Sequence, residues 1–231
     1  MRNTAIILAG GKGERAGFAV PKQFAELAGR TVIERTVDAF ERHPMITGIV
    51  IVTIADCMDR MQTIVERNTW HKFAGLCSGG FTRFASANAG LMLCPAAEGN
   101  VLIHDGARPL VGQEVISRVI TALEGSEAVI TAVPSTDSLV MTDGGSVESY
   151  LDRSKVWRVQ TPQGFRTSLL RSAYLEALRH SYFDATDDAM LIRRYFPDRH
   201  IAVVEGSESN IKLTYPGDMK RMEQILATQK Q

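Results

Sequence analysis

Ala5-Ile6-Ile7-Leu8-Ala9, followed by Gly10-Gly11-Lys12-Gly13-Glu14-Arg15 and then by Pro21-Lys22-Gln23-Phe24, is the stretch whose reading decides the fold. Its first five residues are an apolar run of strand length. Gly10, Gly11 and Gly13 carry no Cβ, so backbone N–H groups can close on an anion there. Lys12, Arg15 and Lys22 add fixed positive charge to those dipoles. A buried strand emptying into a cationic, glycine-rich turn suits a phosphate ligand.

The pattern that follows repeats strand and helix. Thr31 to Arg42 places Val32, Ile33, Thr36, Val37 and Phe40 at helical spacing, and Gly48 to Thr53 is a β-branched strand. Asp56 to Trp70 predicts a helix, Phe73 to Ser78 a third strand broken by Gly79-Gly80, and Arg83 to Leu93 a packed helix. Val101 to Ile103 is a strand running into His104-Asp105-Gly106-Ala107-Arg108-Pro109, followed by a helix over Gln113 to Leu123 and a strand over Ala128 to Val133. This order predicts an α/β fold with a mainly parallel sheet covered by helices on both faces, in which ligands bind beyond the carboxyl ends of the strands.

At Ser135 the pattern changes. Ser138 to Thr142 and Ser146 to Leu151 flank Asp143-Gly144-Gly145 as a β-hairpin. An isolated hairpin is marginal in water, so a second copy of the chain is its economical support. The remainder predicts a short strand over Arg158 to Gln160 and helices over Leu169 to His180 and Asp187 to Tyr195. A strand over Ile201 to Glu205, an extended piece over Asn210 to Thr214 and a last helix from Pro216 complete it.

The 231 residues, 45% hydrophobic and 23% charged, suit one large domain with an appendage. With 26 basic and 26 acidic residues the net charge is zero, so no overall field draws the chain to nucleic acid or an acidic membrane. No apolar run has the length of a membrane span, and the chain starts in an apparent core strand rather than a signal peptide. A cytoplasmic location is expected. Cys57, Cys77 and Cys94 are too few and too scattered for a disulfide framework or a zinc site, and read as core residues.

Gly11-Lys12-Gly13-Glu14-Arg15-Ala16 matches the dinucleotide pattern G-x-G-x-x-G/A, but the acidic residue that motif wants about 20 residues on falls inside the helix around Glu34 and Asp38. The P-loop also fails, since Gly-Lys is not followed by Ser or Thr. A nucleotide loop of a third kind remains. Transfer from a triphosphate needs cations at the α-phosphate, where Arg15 and Lys22 are the candidates. In His104 to Pro109, Asp105 and Arg108 form either a structural ion pair or a site in which Arg108 clamps an acceptor phosphate and Asp105 meets a hydroxyl or hydrated Mg²⁺. His104 reads as structural, and Asp187-Asp188 as capping groups rather than a metal pair. Lys212, between Ile211 and Leu213, needs an anion if it points inward.

Taken in order, these motifs resemble the cytidylyltransferases that activate polyol phosphates. The resemblance covers essentially the whole chain. It rests on Leu8 to Arg15, Pro21 to Phe24, Gly79-Gly80 with Arg83 and Ser86, and His104 to Pro109. Asp152-Arg153 with Trp157, Gln160 to Gln163, Thr186-Asp187, Glu205-Gly206 and Asn210 to Lys212 extend it. Asp152 to Trp157 points to members acting on 2-C-methyl-D-erythritol 4-phosphate in the non-mevalonate isoprenoid pathway. Glu208 to Thr214 also resembles members acting on ribitol 5-phosphate. The resemblance implies a single Rossmann-like nucleotidyltransferase domain over 1–231, a hairpin dimerisation arm over 135–158, and CTP-dependent transfer of CMP with Mg²⁺ held mainly by the CTP phosphates.

By matching position, Ala9, Gly10, Gly80 and Ser86 would surround the cytidine, with Gly11 and Gly13 along the ribose and phosphates. Arg15, Lys22 and Lys212 would be the catalytic cations. Asp105, Arg108 and Thr161 would face the acceptor, joined by Ser138 and Arg153 from the partner of a homodimer. Glu14, Phe81 and Ser138 depart from residues frequent in the family. A non-catalytic nucleotide-binding module would be expected to have lost a key cation, yet Arg15, Lys22 and Lys212 are all present.

Overall fold

The structure is a computed structural model that describes residues 1–11, 20–94 and 99–228; Lys12, Gly13, Glu14 and Arg15 lie outside them. The chain runs β1 (Asn3–Ala9), a short ribbon of β2 (Glu26–Leu27) and β3 (Arg30–Thr31), α1 (Val32–Glu41), β4 (Gly48–Thr53), α2 (Met58–Arg67), β5 (Phe73–Ser78), α3 (Arg83–Leu93) and β6 (Asn100–Asp105). It continues through α4 (Gln113–Gly125), β7 (Ala128–Pro134), a hairpin of β8 (Val140–Asp143) and β9 (Ser146–Tyr150), and β10 (Trp157–Arg166). The last elements are α5 (Thr167–Arg179), α6 (Ala189–Tyr195), β11 (Ile201–Glu205) and α7 (Pro216–Thr228). Among the described residues no helix is long and apolar enough to cross a membrane.

Seven strands form one sheet in the order β11-β7-β10-β6-β1-β4-β5. β10 alone runs antiparallel to its neighbours. The chain leaves β1 toward β4 and β5 and returns on its other side as β6, so the strand order reverses between β1 and β6. That crevice is where ligands of open α/β sheets bind.

Side chains alternate across the sheet as the pleat demands. Ala5, Ile7 and Ala9 of β1, with Ile49 and Ile51 of β4, pack under α1, α2 and α4. Ile6 of β1, with Val50 and Val52 of β4, packs under α3, α5 and α6. A third cluster joins Leu27, Val32, Ala107, Leu110 and Leu213 to Met222 of α7. α1 opens on a capping box between Thr31 and Glu34. Glu34 also takes a 2.7 Å bond from Arg67, which ties α1 to α2. Burial opposes ionisation of Glu34, but the bonds from Arg67, Thr31 and Asn68 outweigh it and hold its pKa down at about 2.

Several expected boundaries are corrected. The Asp56 to Trp70 helix starts as a 3-10 turn at Ala55–Cys57 and ends at Arg67, because the Trp70 indole turns back to donate to Asp38 at 2.9 Å. β6 extends through His104 and Asp105. β10 is ten residues long, not three, and runs through Pro162 because its pairing with β7 shifts register between Gln160 and Gly164, where a missing N–H leaves no ladder bond broken. Asn210 to Thr214 forms no strand. It is held by the backbone bonds Asn210 N–H to the Ser207 carbonyl at 3.0 Å and Leu213 N–H to the Ala107 carbonyl at 2.9 Å, and by side chains described below. α6 begins at Ala189; Asp187 caps it by accepting from the Met190 N–H at 2.9 Å, while Asp188 turns inward.

The close seat of α3 on the sheet depends on Gly90. A Cβ there would come within 2.5 Å of Ile6 Cγ2 and 2.8 Å of Val52 Cγ2, both on stiff, buried, β-branched side chains. Gly90→Ala gains up to about 1 kcal/mol of helix propensity, yet overpacking at this contact costs more. Urea denaturation should show a net loss of about 1–2 kcal/mol. An unchanged or raised midpoint would mean that α3 is not held this close.

Candidate active site

β6, β1, β4 and β5 end side by side, and a cavity of about 710 Å³ opens beyond their carboxyl ends. Leu8, Gly10 and Gly11 line it after β1, and Ile54 to Asp56 after β4. Gly79 to Thr82 contribute from the β5–α3 turn, Arg83 and Ser86 from the first turn of α3, Asp105 from the end of β6 and Ala107 from just beyond it, and Lys22 and Lys212 from elsewhere in the chain.

The local sequence explains each placement. Gly106 lets the chain turn tightly off β6, since its N–H donates to the Leu8 carbonyl at 2.8 Å and a Cβ would sit 2.9 Å from that same oxygen. Gln23 is buried and donates to the Ala9 carbonyl at 2.9 Å, fastening the Pro21 to Phe24 turn to the end of β1. Lys22 thus reaches the cavity, where its Nζ donates to the Leu213 carbonyl at 2.8 Å. In the first turn of α3, the Ser86 hydroxyl donates back to the Thr82 carbonyl at 3.0 Å and lies 3.4 Å from where a Gly10 Cβ would be. A Cβ on Gly80 would fall 2.4 Å from that of Ala85, so the β5–α3 turn admits only glycine there without moving α3.

Asp105 is the charge centre. Lys212 Nζ stands 2.9 Å and Arg108 Nε 3.4 Å from its Oδ2. Burial alone would raise the Asp105 pKa, but Lys212, Arg108 and, through space, Arg83 overcome that and hold the carboxyl well below its usual range. Arg108 also donates to the Asn210 carbonyl at 2.7 Å, and Asn210 Nδ2 donates to the Thr161 carbonyl at 2.8 Å. These bonds replace the missing strand pairing of residues 210–214 and aim Lys212 back at Asp105. The inward lysine has its anion.

His104 faces the other way, against Phe40 in the core. Its Nε2 lies 3.1 Å from the Arg108 carbonyl, which can only accept, so Nδ1 accepts the Thr161 hydroxyl proton at 3.1 Å. The Thr161 oxygen in turn accepts the Asp105 N–H at 3.0 Å.

Of the residues singled out in the sequence, Gly10, Gly11, Gly80, Ser86, Asp105, Lys22 and Lys212 share the cavity wall. Ala9 and Thr161 are buried and Arg108 partly buried, and the three adjoin the cavity without lining it; the Thr161 hydroxyl is taken up by Asp105 and His104. Ser138 and Arg153 are exposed on and beside the hairpin and do not line the cavity of their own chain. Gly13 and Arg15 lie outside the described residues. Phe81 projects fully exposed at the rim. No individual role was read from the sequence for Gln23 or Asn210, and Asp188 was read as a capping group; all three side chains are buried.

Burial lowers the His104 pKa from 6.5 to about 4, against the smaller opposing effects of its bonds and of Asp105. The ring is therefore neutral in the folded protein, while the unfolded chain takes up its proton below about pH 6.5. Stability from this residue is complete above that pH and is lost as pH falls toward 4, by about 3 kcal/mol in all. Chemical denaturation at about pH 7 and about pH 4.5 should show a smaller acid loss in His104→Gln than in the parent chain, although the variant starts less stable. Equal acid losses would refute the assignment.

A sequence model of the 2-C-methyl-D-erythritol 4-phosphate cytidylyltransferase family matches residues 3–228. A protein of that name from Thermobifida fusca is 38% identical over 234 residues, covering 98% of this chain and 94% of its own. Another from Cereibacter sphaeroides is 41% identical over 228 residues, covering 98% of each. The crystal structure of 4-diphosphocytidyl-2C-methyl-D-erythritol synthase from Anaerococcus prevotii matches with a TM-score of 0.85 and 34% identity, over 98% of this chain and 96% of that one. A 2-C-methyl-D-erythritol 4-phosphate cytidylyltransferase from Thermus thermophilus matches with a TM-score of 0.79 and 30% identity, over 97% and 98%. Matched over residues 3–228 by the family model and at 38–41% identity over nearly its whole length by these relatives, this protein belongs to the 2-C-methyl-D-erythritol 4-phosphate cytidylyltransferase family.

Proposed function

We propose that this chain transfers CMP from CTP to 2-C-methyl-D-erythritol 4-phosphate and releases pyrophosphate, with Lys22 and Lys212 acting on the transferred phosphoryl group. The observation that carries the residue assignment is the convergence of two lysines, 190 positions apart in sequence, on one cavity at the switch point of the sheet. The family match and the names of the relatives above support methylerythritol phosphate over ribitol 5-phosphate as the acceptor.

In this reading the cytosine sits against Gly10, Gly80 and Ser86, over Ala9, where backbone groups and a hydroxyl face it without bulk. An oxygen of the acceptor phosphate attacks the α-phosphorus in line. As that P–O bond forms, the bond from the α-phosphorus to the bridging oxygen breaks and pyrophosphate leaves. Charge on the equatorial oxygens is stabilised by Lys22, by Lys212 and by Arg15 of the glycine loop. Asp105, already ionised and flanked by Lys212 and Arg108, accepts hydrogen bonds from acceptor hydroxyls, with Thr161 fixing its backbone.

Among the described residues no three His, Cys, Asp or Glu side chains cluster as a metal cage. A cavity with Asp105 as its innermost carboxylate fits a Mg²⁺ that arrives on the nucleotide, since Mg²⁺ favours phosphate oxygens and water with one or two carboxylates. Such an ion would neutralise triphosphate charge, and Asp105 is the residue to hold it.

The β8–β9 hairpin exposes Val140, Met141, Val147 and Tyr150. Exposed apolar residues on an arm too small to be stable alone support a homodimer in which Ser138 and Arg153 complete the acceptor site of the partner.

Pyrophosphate release from CTP, with methylerythritol phosphate and ribitol phosphate offered in parallel, tests the reading. The methylerythritol compound should be used far faster. Lys22→Ala should lower kcat by about 10²- to 10³-fold. Arg153→Ala should raise the acceptor KM about tenfold and leave that of CTP unchanged. Near-normal turnover by Lys22→Ala would remove its assigned role, and preference for ribitol phosphate would reassign the acceptor.

A further inference from the structure

Arg83 opens α3 at the cavity wall, and its guanidinium is anchored from behind. Its Nη2 donates to Asp188 Oδ2 at 2.6 Å, and the Asp188 side chain is completely buried. The second carboxylate oxygen of Asp188 accepts from Tyr174 Oη, also at 2.6 Å. The backbone N–H groups of Asp188 and Ala189 converge on Gln163 Oε1 at 3.2 and 3.3 Å. The buried carboxylate is thus bonded by Tyr174 of α5 and by Arg83 of α3, its backbone is fastened to Gln163 of β10, and the Arg83 side chain that matches its charge lines the cavity and retains 26% exposure.

A buried ion pair contributes little net stability, because desolvation offsets most of its Coulomb energy. What it supplies is a fixed cation. Arg83 shares the wall with Gly79 and Gly80, and its field also reaches Asp105. The guanidinium is therefore common to the nucleotide wall and the acceptor carboxylate, the place where two phosphates must meet for transfer. We propose that Arg83 is a phosphate-facing cation of the cavity and that Asp188 is the positioning residue that locks it there, with Tyr174 and Gln163 holding Asp188. The inference deepens the cytidylyl-transfer reading and rests on it.

Steady-state kinetics, together with calorimetric titration of CTP and of methylerythritol phosphate one at a time, test it. Arg83→Gln should weaken a phosphate ligand or lower kcat/KM by about 10- to 100-fold, the effect of losing one charge-assisted hydrogen bond. Whichever ligand is weakened identifies the phosphate that Arg83 holds. Asp188→Asn keeps the shape and removes the charge, so it should weaken the same ligand. Asp188→Asn combined with Arg83→Gln should be no worse than Arg83→Gln alone, because the two act as one unit. Tyr174→Phe leaves the ion pair but frees one side of it, and should give a smaller loss of the same kind; it decides the matter if Asp188→Asn does not fold. The proposal is overturned if these variants lower the melting temperature but leave both KM values and kcat unchanged, or if the Arg83 and Asp188 losses multiply. A parent chain that binds neither ligand and releases no pyrophosphate would instead overturn the cytidylyl-transfer reading, a result distinct from an active parent with indifferent variants.

Discussion

The charge on Asp105 is the constraint around which the site is arranged. A carboxylate at the inner end of a buried strand is costly unless cations meet it, and here they come from two different parts of the chain: Arg108 three residues on, and Lys212 from the segment before the last helix. Because the pair with Lys212 requires residues 210–214 to lie across the end of β6, the ion cluster also fixes a segment with no ladder of its own. Arg108 bonds the Asn210 carbonyl, Asn210 bonds the Thr161 carbonyl, and Lys22 bonds the Leu213 carbonyl. Removing any of these would leave a buried polar group unpaired, so the segment has little freedom to drift.

The polar layer beneath this cluster solves a different problem. His104 is neutral and wedged between Phe40 and the turn, and its two ring nitrogens hold the Arg108 carbonyl and the Thr161 hydroxyl. The Thr161 oxygen then holds the Asp105 amide. The position of Asp105 is therefore set from its own backbone, through a chain of hydrogen bonds that carries no net charge into the core. Charge is confined to the cavity side and neutrality to the core side, and the alternation of strand β6 makes that division possible with adjacent residues.

Much of this was legible in the sequence because it rests on local periodicity. β4, β5, α3 and β11 fall where alternation, helical spacing and breakers place them. The glycines at 79 and 80 and Asp105 share a cavity because they lie at or just beyond the ends of neighbouring strands, which sequence order indicates, whereas Lys22 and Lys212 reach it from segments outside the sheet. What the sequence concealed depends on contacts distant along the chain. β10 looked short because Pro162 signals a break, and only the shifted pairing with β7 shows why the strand survives it. Residues 210–214 looked extended because Ile211 and Leu213 alternate with Lys212, yet among the described residues they pair with no strand. Asp187-Asp188 looked like one capping pair, whereas Asp187 caps α6 and Asp188 answers a guanidinium 105 residues away. Arg108 and Thr161 each bond Asp105, Arg108 at the carboxylate and Thr161 at the backbone N–H, the second a contact that no local pattern in the sequence announces.

The two faces of the sheet contribute to the site in different ways, and this explains why one cavity can serve two substrates. From the α3, α5 and α6 face the cavity is walled by Gly79, Gly80, Ser86 and Arg83, the last anchored by Asp188. From the other side, Lys22 and Lys212 rest on backbone and carboxylate partners, contacts that an incoming phosphate competes for directly. A rigid wall suits recognition of a planar base, whose shape is constant. Lysines that exchange one oxygen partner for another suit a phosphoryl group whose charge distribution changes during transfer, since a compact ammonium can follow that charge without a fixed geometry. The cavity thus pairs a planar guanidinium fork at Arg83, fixed by the Asp188 carboxylate, with two compact ammonium charges at Lys22 and Lys212, each bonded to an oxygen that a phosphate oxygen resembles.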